Sequence, residues 1–201
     1  MSTNLIEIVE YKPEWVNEFA RISAQLAEAC KSVAERIDHI GSTSVPGLPA
    51  KDRIDVQITI FNSDDFEAVL NCLGNIGYNN VARIQDDHVP AFGPFEEKQW
   101  EKRFFNQPAG ERAINLHVRV KGAANQRYAL LFREYLRHHP HAATSYALTK
   151  KNLARYHPTN IEAYCDIKDP VCDLIMQAAI AWAAETNWQI PPADVPLRSA
   201  R

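Results

Sequence analysis

The sequence predicts an α+β fold, a mixed α/β sheet core followed by a helical C-terminal half. Three observations carry this. Residues Arg53–Phe61 alternate, with Ile54, Val56, Ile58 and Ile60 on one side and Asp55, Gln57 and Thr59 on the other, the period of a β-strand. Trp100–Asn106 and Arg112–Val120 read as an antiparallel strand pair joined through Gln107–Gly110. From Asn125 onward the apolar residues recur at helical spacing. With 201 residues, 46% of them hydrophobic and 23% charged, the chain suits a single domain with a substantial core. That domain is expected over residues 1–190, with 191–201 a flexible C-terminal tail.

The elements follow in order. Leu5–Tyr11 alternates like an edge strand. Pro13 suits a first helical turn, where its missing N–H is not needed. Trp15, Phe19, Ile22, Leu26 and Cys30 then mark one helix face. Arg36–Ile40 is a short strand running into Gly41–Ser42. After the strand at 53–61, Ser63 is a candidate cap for a helix burying Phe66, Val69, Leu70 and Leu73, and Gly77 follows its end. Tyr78–Ile84 is a candidate strand. Residues 85–100 contain Pro90 and Pro94 and read as a loop over the site. Asn125–His138 and Ala142–Tyr156 are helical. Asp169 and Pro170 form a plausible cap and first turn for a last helix ending near Trp188.

Composition excludes several classes. A formal net charge of −3 argues against a nucleic-acid binder that relies on a broad basic surface. No apolar run reaches the roughly 18–20 residues that span a bilayer. The N-terminus lacks a basic segment followed by an apolar one, so no secretory signal is read there. Cys30, Cys72, Cys165 and Cys172 form no CxxC pair and no zinc spacing. A cytoplasmic protein with free thiols is expected.

The segment richest in chemistry is His39-Ile-Gly-Ser-Thr-Ser-Val-Pro-Gly-Leu-Pro-Ala-Lys51, followed by Ile54-Asp-Val-Gln57. A Gly-Ser pair leaving a strand can offer backbone N–H groups and a hydroxyl to phosphate oxygens. Alone, it also fits an ordinary turn before a loop. Asp55, thirteen residues after Ser42, lies on a strand that should return beside that turn, where a carboxylate can hold Mg²⁺.

The full string, with the strand that follows, resembles the GrpB family, some of whose members carry the label dephospho-CoA kinase. The resemblance runs over nearly the whole chain. It includes Tyr11 and Trp15, Arg103-Phe-Phe, Asn115-Leu-His-Val118, Phe132-Arg-Glu-Tyr-Leu-Arg137, Pro140, Tyr146, Lys150, Tyr164 and Lys168. It implies a nucleotidyltransferase-like fold, whose pattern is a Gly-Ser followed by an Asp-x-Asp/Glu strand. Two positions depart from it. Gln57 stands where the superfamily has its second metal carboxylate, and Asp52 stands where the family usually shows proline.

The resemblance gives each candidate a role. Gly41, Ser42 and Thr43 would hold the phosphates. Asp55 would hold Mg²⁺ or Mn²⁺, with Gln57 or His117 completing the ligand set. His117, where the superfamily often has a third carboxylate, could instead be a general base or a plain half-buried histidine. Arg103, Arg119, Arg133, Arg137, Lys150 and Lys168 are candidate phosphate clamps, although each could be a solvated helix or strand residue. The His138-His139-Pro140-His141 run reads as a helix end. Tyr78, Phe92, Phe95 and Trp100 could stack on a base, but core packing accounts for most of them. The implied function is Mg²⁺-dependent transfer of a nucleotidyl group, such as AMP from an NTP, to a small-molecule or protein acceptor. The alternative is a non-catalytic nucleotide- or CoA-binding module. The chain has no GxxxxGK[ST] phosphate loop.

Overall fold

The computed structural model describes residues 5–197. Among them the helices are α1 (Glu14–Cys30), α2 (Phe66–Asn75), α3 (Ala124–His138), α4 (Pro140–Tyr156) and α5 (Ile161–Glu185). The strands are β1 (Ala34–Ile40), β2 (Ile54–Ile60), β3 (Asn79–Asn80), β4 (Lys102–Asn106), β5 (Ile114–Val120) and β6 (Val195–Pro196). They form one sheet in the order β3-β4-β5-β2-β1-β6. β2 and β5 run parallel and the other neighbours antiparallel, so the sheet is mixed and the predicted fold class holds.

Strand alternation divides the sheet into two faces of opposite character. Ile54, Val56, Ile58 and Ile60 of β2 join Ile114, Leu116 and Val118 of β5 in one buried apolar layer. The stripe Trp15, Phe19, Ile22, Leu26 and Cys30 of α1 is buried against that layer, together with Phe66, Val69 and Leu73 of α2. Burying each such side chain contributes about 1.5–3 kcal/mol. The register pairs Asp38 with Gln57, Gln57 with His117 and Phe104 with His117, so these residues share the other face. α3 meets this part of the sheet through contacts with β1 and β5 and packs in turn on α4 and α5.

Five local expectations are corrected. Leu5–Tyr11 makes a single bridge, Val9 to Ala50, and no strand. Asn62 caps the turn before α2 in place of Ser63: its side chain accepts from the Asp64 N–H, and Asp65 reaches back to the Asn62 N–H. Only Asn79–Asn80 of the stretch 78–84 pairs with β4. Pro170 lies inside α5, which is capped by Asn160 accepting from the Ala163 N–H at 3.0 Å. Tyr164 before the proline and Met176 and Ala179 after it are all buried, and packing on both sides carries the helix through the lost hydrogen bond. Finally, the segment expected as a tail supplies β6. Val195 and Pro196 pair with Ile37 and Arg36, and proline is tolerated because β6 is an edge strand. Residues 198–201 lie outside the described residues. Among the described residues no helix is long and apolar enough to cross a membrane.

Candidate functional site

β1 ends at Ile40, and Gly41 turns the chain with φ 68° and ψ −170°, a conformation open essentially to glycine. The β1–β2 register puts Ile40 opposite Asp55. A Cβ built on Gly41 would lie 2.2 Å from Asp55 Oδ2. Glycine therefore lets the carboxylate lie directly against the turn. Ser42–Ser44 continue as a short 3-10 turn, closed by the Ser44 hydroxyl donating to the Gly41 carbonyl at 2.6 Å.

The turn borders a cleft of about 450 Å³ between the sheet and the C-terminal helices. Gly41, Ser42, Asp55, His117, Lys150 and Lys168 all line it. Lys150, 3% exposed, donates to Ser42 Oγ at 2.7 Å and to the Pro49 carbonyl at 2.6 Å. Burial pushes its pKa down to about 7, against the pull of Asp55. Asp55 accepts from Asn115 Nδ2 at 2.6 Å. Burial raises its pKa, and the Asn115 bond with nearby Lys51, Arg53 and Lys150 opposes the rise. Lys168 donates to Asp169. Burial opposes its charge, but Cys172 and Asp169 outweigh that and hold its pKa above the usual lysine value.

At the other end of the cleft most side-chain polar atoms bond to one another, although Asn125 Oδ1 is buried without a partner. Arg119 donates to Gln57 Oε1 at 2.7 Å, to Asp87 through Nε at 2.7 Å and Nη2 at 3.0 Å, and to His117 Nδ1 at 3.2 Å. Gln57, fully buried, gives its amide N–H to the Gln126 carbonyl at 3.3 Å. Asp87 also takes Lys102 Nζ at 2.6 Å and Asn125 Nδ2 at 3.0 Å. Burial raises the cost of its charge, but Arg119 and Lys102 prevail and hold its pKa well below the carboxylate range. His117 is pushed well below the usual histidine value by burial, then by Arg119 and Lys102. A guanidinium can only donate, so Nδ1 is the acceptor and the neutral ring carries its proton on Nε2. Neither ring nitrogen then has a free lone pair.

The donor set decides the metal question. Of positions 55, 57 and 117, Asp55 alone has a carboxylate, Gln57 Oε1 is held by Arg119, and His117 presents an N–H. Among the described residues no group of three His, Cys, Asp or Glu is placed to hold a metal. These residues do not fit a two-metal site. Asp55 alone of the three offers the donor type that a single Mg²⁺ would need, with its remaining ligands to come from outside the chain.

Five predicted site residues do not line the cleft, and Gln57 is one of them, fully buried behind Arg119. Thr43 is buried and bonded through Oγ1 to His39 Nε2 at 2.9 Å. Arg103 is in register with Val118 on the apolar face, 4.2 Å from the Phe66 ring centroid. Arg133 donates to the His39 carbonyl at 2.8 Å and to Asp194 at 2.7 Å. Arg137 donates to the Ser44 carbonyl at 2.7 Å. The last two brace the backbone on either side of the turn and do not line the cleft. Arg119 lines it with its donors already committed. Asp52, the second departure from the family pattern, accepts from Lys12 at 2.7 Å, from the Trp15 indole at 2.9 Å and from Arg112, all away from the cleft.

Among the cleft residues that the sequence reading does not single out are Lys51, Lys102 and Asp87. Lys51, 5.1 Å from the Tyr164 ring centroid, has its pKa lowered by burial. It closes the quoted motif, and that was its signal. Lys102 could have been read from its place in the strand at 100–106. Asp87 lies in the segment read as a loop, and nothing local marked it. Of the aromatic candidates, Trp100 is buried and lines the cleft and Tyr78 is buried in the core, while Phe92 and Phe95 are exposed.

Comparison with known proteins sets this geometry in context. Residues 5–178 match the family described as GrpB protein. UPF0157 protein BH1888 of Halalkalibacterium halodurans is 33% identical over 177 residues, covering 88% of this chain and 83% of that protein. A dephospho-CoA kinase of Mycobacterium leprae is 30% identical over 198 residues, 91% of this chain and 48% of that protein. The chain thus spans about half the length of the dephospho-CoA kinases it matches. Among solved structures, conserved protein GrpB from Enterococcus faecalis superposes with a TM-score of 0.71 at 28% identity, over 91% of this chain and 100% of that one. The GLD-2/RNP-8 complex aligns with a TM-score of 0.56 at 12% identity, over 96% of this chain and 74% of that one. The fold is nucleotidyltransferase-like.

Proposed function

The chain belongs to the GrpB family, and from that premise we propose that its cleft is a nucleotide-binding site. The phosphates would lie on the Gly41–Ser42 turn, with Lys150, Lys51 and Lys168 as cationic partners and Asp55 holding one Mg²⁺ or Mn²⁺ brought in with them. Bound there, the ion would neutralise phosphate charge. The observation that carries the reading is the join of Lys150 to Ser42 beside a glycine turn packed on Asp55. The glycine turn, the Ser42 hydroxyl and a desolvated ammonium border one cleft there, a setting suited to an anion. A cytoplasmic location belongs to the same proposal.

In its catalytic form the reading is transfer of a nucleotidyl group, AMP from ATP, to a small-molecule or protein acceptor. The side chains favour binding over transfer. A single carboxylate cannot neutralise two metal ions. His117, with its pKa well below neutrality and its proton on Nε2, is a poor general base. It is better suited to donate a hydrogen bond to a ligand oxygen. A second reading, a CoA-type ligand, is favoured by the relatives named dephospho-CoA kinase, of which this chain matches about half.

A thermal-shift screen against ATP, GTP, CTP, UTP and CoA, with and without Mg²⁺ or Mn²⁺, separates these readings. Nucleotide binding predicts a shift with a nucleoside triphosphate that is larger with metal, the metal increment vanishing in Asp55→Asn. A shift with CoA alone would replace it with the second reading. No shift with any of them would overturn both.

A further inference from the structure

α1 and α2 pack together on the apolar face of the sheet, away from the cleft, and each brings a cysteine to their contact. Cys30, the last residue of α1, is fully buried, and Cys72 of α2 is half-buried. Their Sγ atoms are 2.8 Å apart although the residues are 42 positions apart in sequence. A formed disulfide has a bond of about 2.05 Å, so closure needs a sulfur displacement of about 0.8 Å. We propose that Cys30 and Cys72 are a redox modification site that reacts with a peroxide-class oxidant and closes to a disulfide joining α1 to α2.

The two thiols differ in a way that sets the order of events. Cys72 meets solvent, and the hydrogen bond from Cys30 lowers its pKa. The same bond, with burial, raises that of Cys30. Cys72 is therefore the sulfur that an oxidant reaches first and the one with the greater thiolate character. Its thiolate attacks one peroxide oxygen, the O–O bond breaks, and the hydroxide that leaves takes up the proton the Cys72 thiol had released, giving water and a sulfenic acid on Cys72. The sulfur of Cys30 then attacks Cys72 Sγ, the S–O bond breaks, and the hydroxyl departs as water with the Cys30 proton. Two thiols have lost two hydrogens, and hydrogen peroxide has become two waters. Cys165 and Cys172 line the cleft, and Cys172 Sγ lies instead 3.5 Å from the Tyr146 hydroxyl.

The closed loop contains β1, the Gly41 turn and β2 with Asp55. The cross-link restricts the unfolded chain and lies on the face opposite the cleft, so it should stabilise the fold without blocking the site.

The test uses the full chain, reduced, desalted and exposed to a small molar excess of hydrogen peroxide. Free thiols are then alkylated under denaturing conditions, and cysteine pairing is mapped by mass spectrometry. The expected result is a Cys30–Cys72 cross-linked peptide with Cys165 and Cys172 alkylated, and a melting temperature higher by about 5–10 °C. Cys30→Ser should leave a dimedone-trappable sulfenic acid on Cys72, and Cys72→Ser should leave Cys30 reduced. Recovery of Cys30 and Cys72 both alkylated after peroxide, or a disulfide through Cys165 or Cys172 instead, would overturn the proposal.

Discussion

Two ends of one cleft, built on the same face of β2 and β5, differ in what their polar atoms are doing. At the turn end, Gly41, Ser42, Asp55, Lys51 and Lys150 border open space. At the other end, Arg119, His117 and Asp87 line the cleft and, with the buried Gln57 behind them, bond to one another. Polar groups satisfied internally are scaffold, whereas desolvated charges facing a cavity are positioned for a ligand. The same contrast explains why position 57 need not be acidic: a resident guanidinium, balanced by Asp87, already sits beside it.

The largest expected effect comes from breaking the scaffold end. Arg119→Ala leaves Gln57 Oε1 and His117 Nδ1 without their donor in a buried setting and Asp87 with Lys102 as its one cationic partner, and should lower stability by about 3–5 kcal/mol, read by urea titration. If that end were instead a binding surface, the variant would lose nucleotide affinity with stability little changed. Gly41→Ala attacks the turn end. Positive φ and the overlap with Asp55 should together cost about 3 kcal/mol, a fall of roughly 6–12 °C in melting temperature, with nucleotide binding abolished.

Lys150→Met gives a subtler effect in the pH profile. The folded-state pKa of Lys150, about 7, lies below its ordinary 10.5, so between those values the folded chain holds fewer protons than the unfolded one. This group's contribution to stability therefore rises with pH across that window, by up to about 1.4 kcal/mol per unit, and the variant should lose that rise. A phosphate favours the charged amine, so wild-type nucleotide affinity should weaken above pH ~7. The variant should bind less tightly and show a flatter profile, as measured by calorimetric titration at pH values on both sides of 7. The smallest effect is expected from Arg103→Ala on the opposite face: about 1 kcal/mol from the lost contact with Phe66, and unchanged nucleotide affinity.

The contrast between the two ends also explains what could be read from sequence. The turn end was legible because its parts are local. Gly41 and Ser42 leave a strand, Asp55 follows in the next strand, and alternation along that strand fixes its face. The apolar stripe of α1 and the strand pair β4–β5 were legible for the same reason. Arg103 was misplaced because its type suggested phosphate, although its one-residue offset from Lys102 already put it on the other face. Arg133 and Arg137 stand four residues apart on one face of α3, but their backbone acceptors, the His39 and Ser44 carbonyls, are fixed only by tertiary packing. Asp87 and β6 depend on contacts distant in sequence and carry no local period. Pro170 misled because a strong local rule was overridden by burial on both sides of it.

The central claim is that the turn end takes a nucleotide with one metal ion while the Gln57 end supplies no second site. Counting Mn²⁺ bound per chain by electron paramagnetic resonance, with a saturating non-hydrolysable ATP analogue, tests it most directly. The account predicts one Mn²⁺ per chain in the wild type, none in Asp55→Asn, and still one in Gln57→Glu, because the new carboxylate would pair with Arg119. Two ions in the wild type, or none in the presence of the analogue, would contradict it.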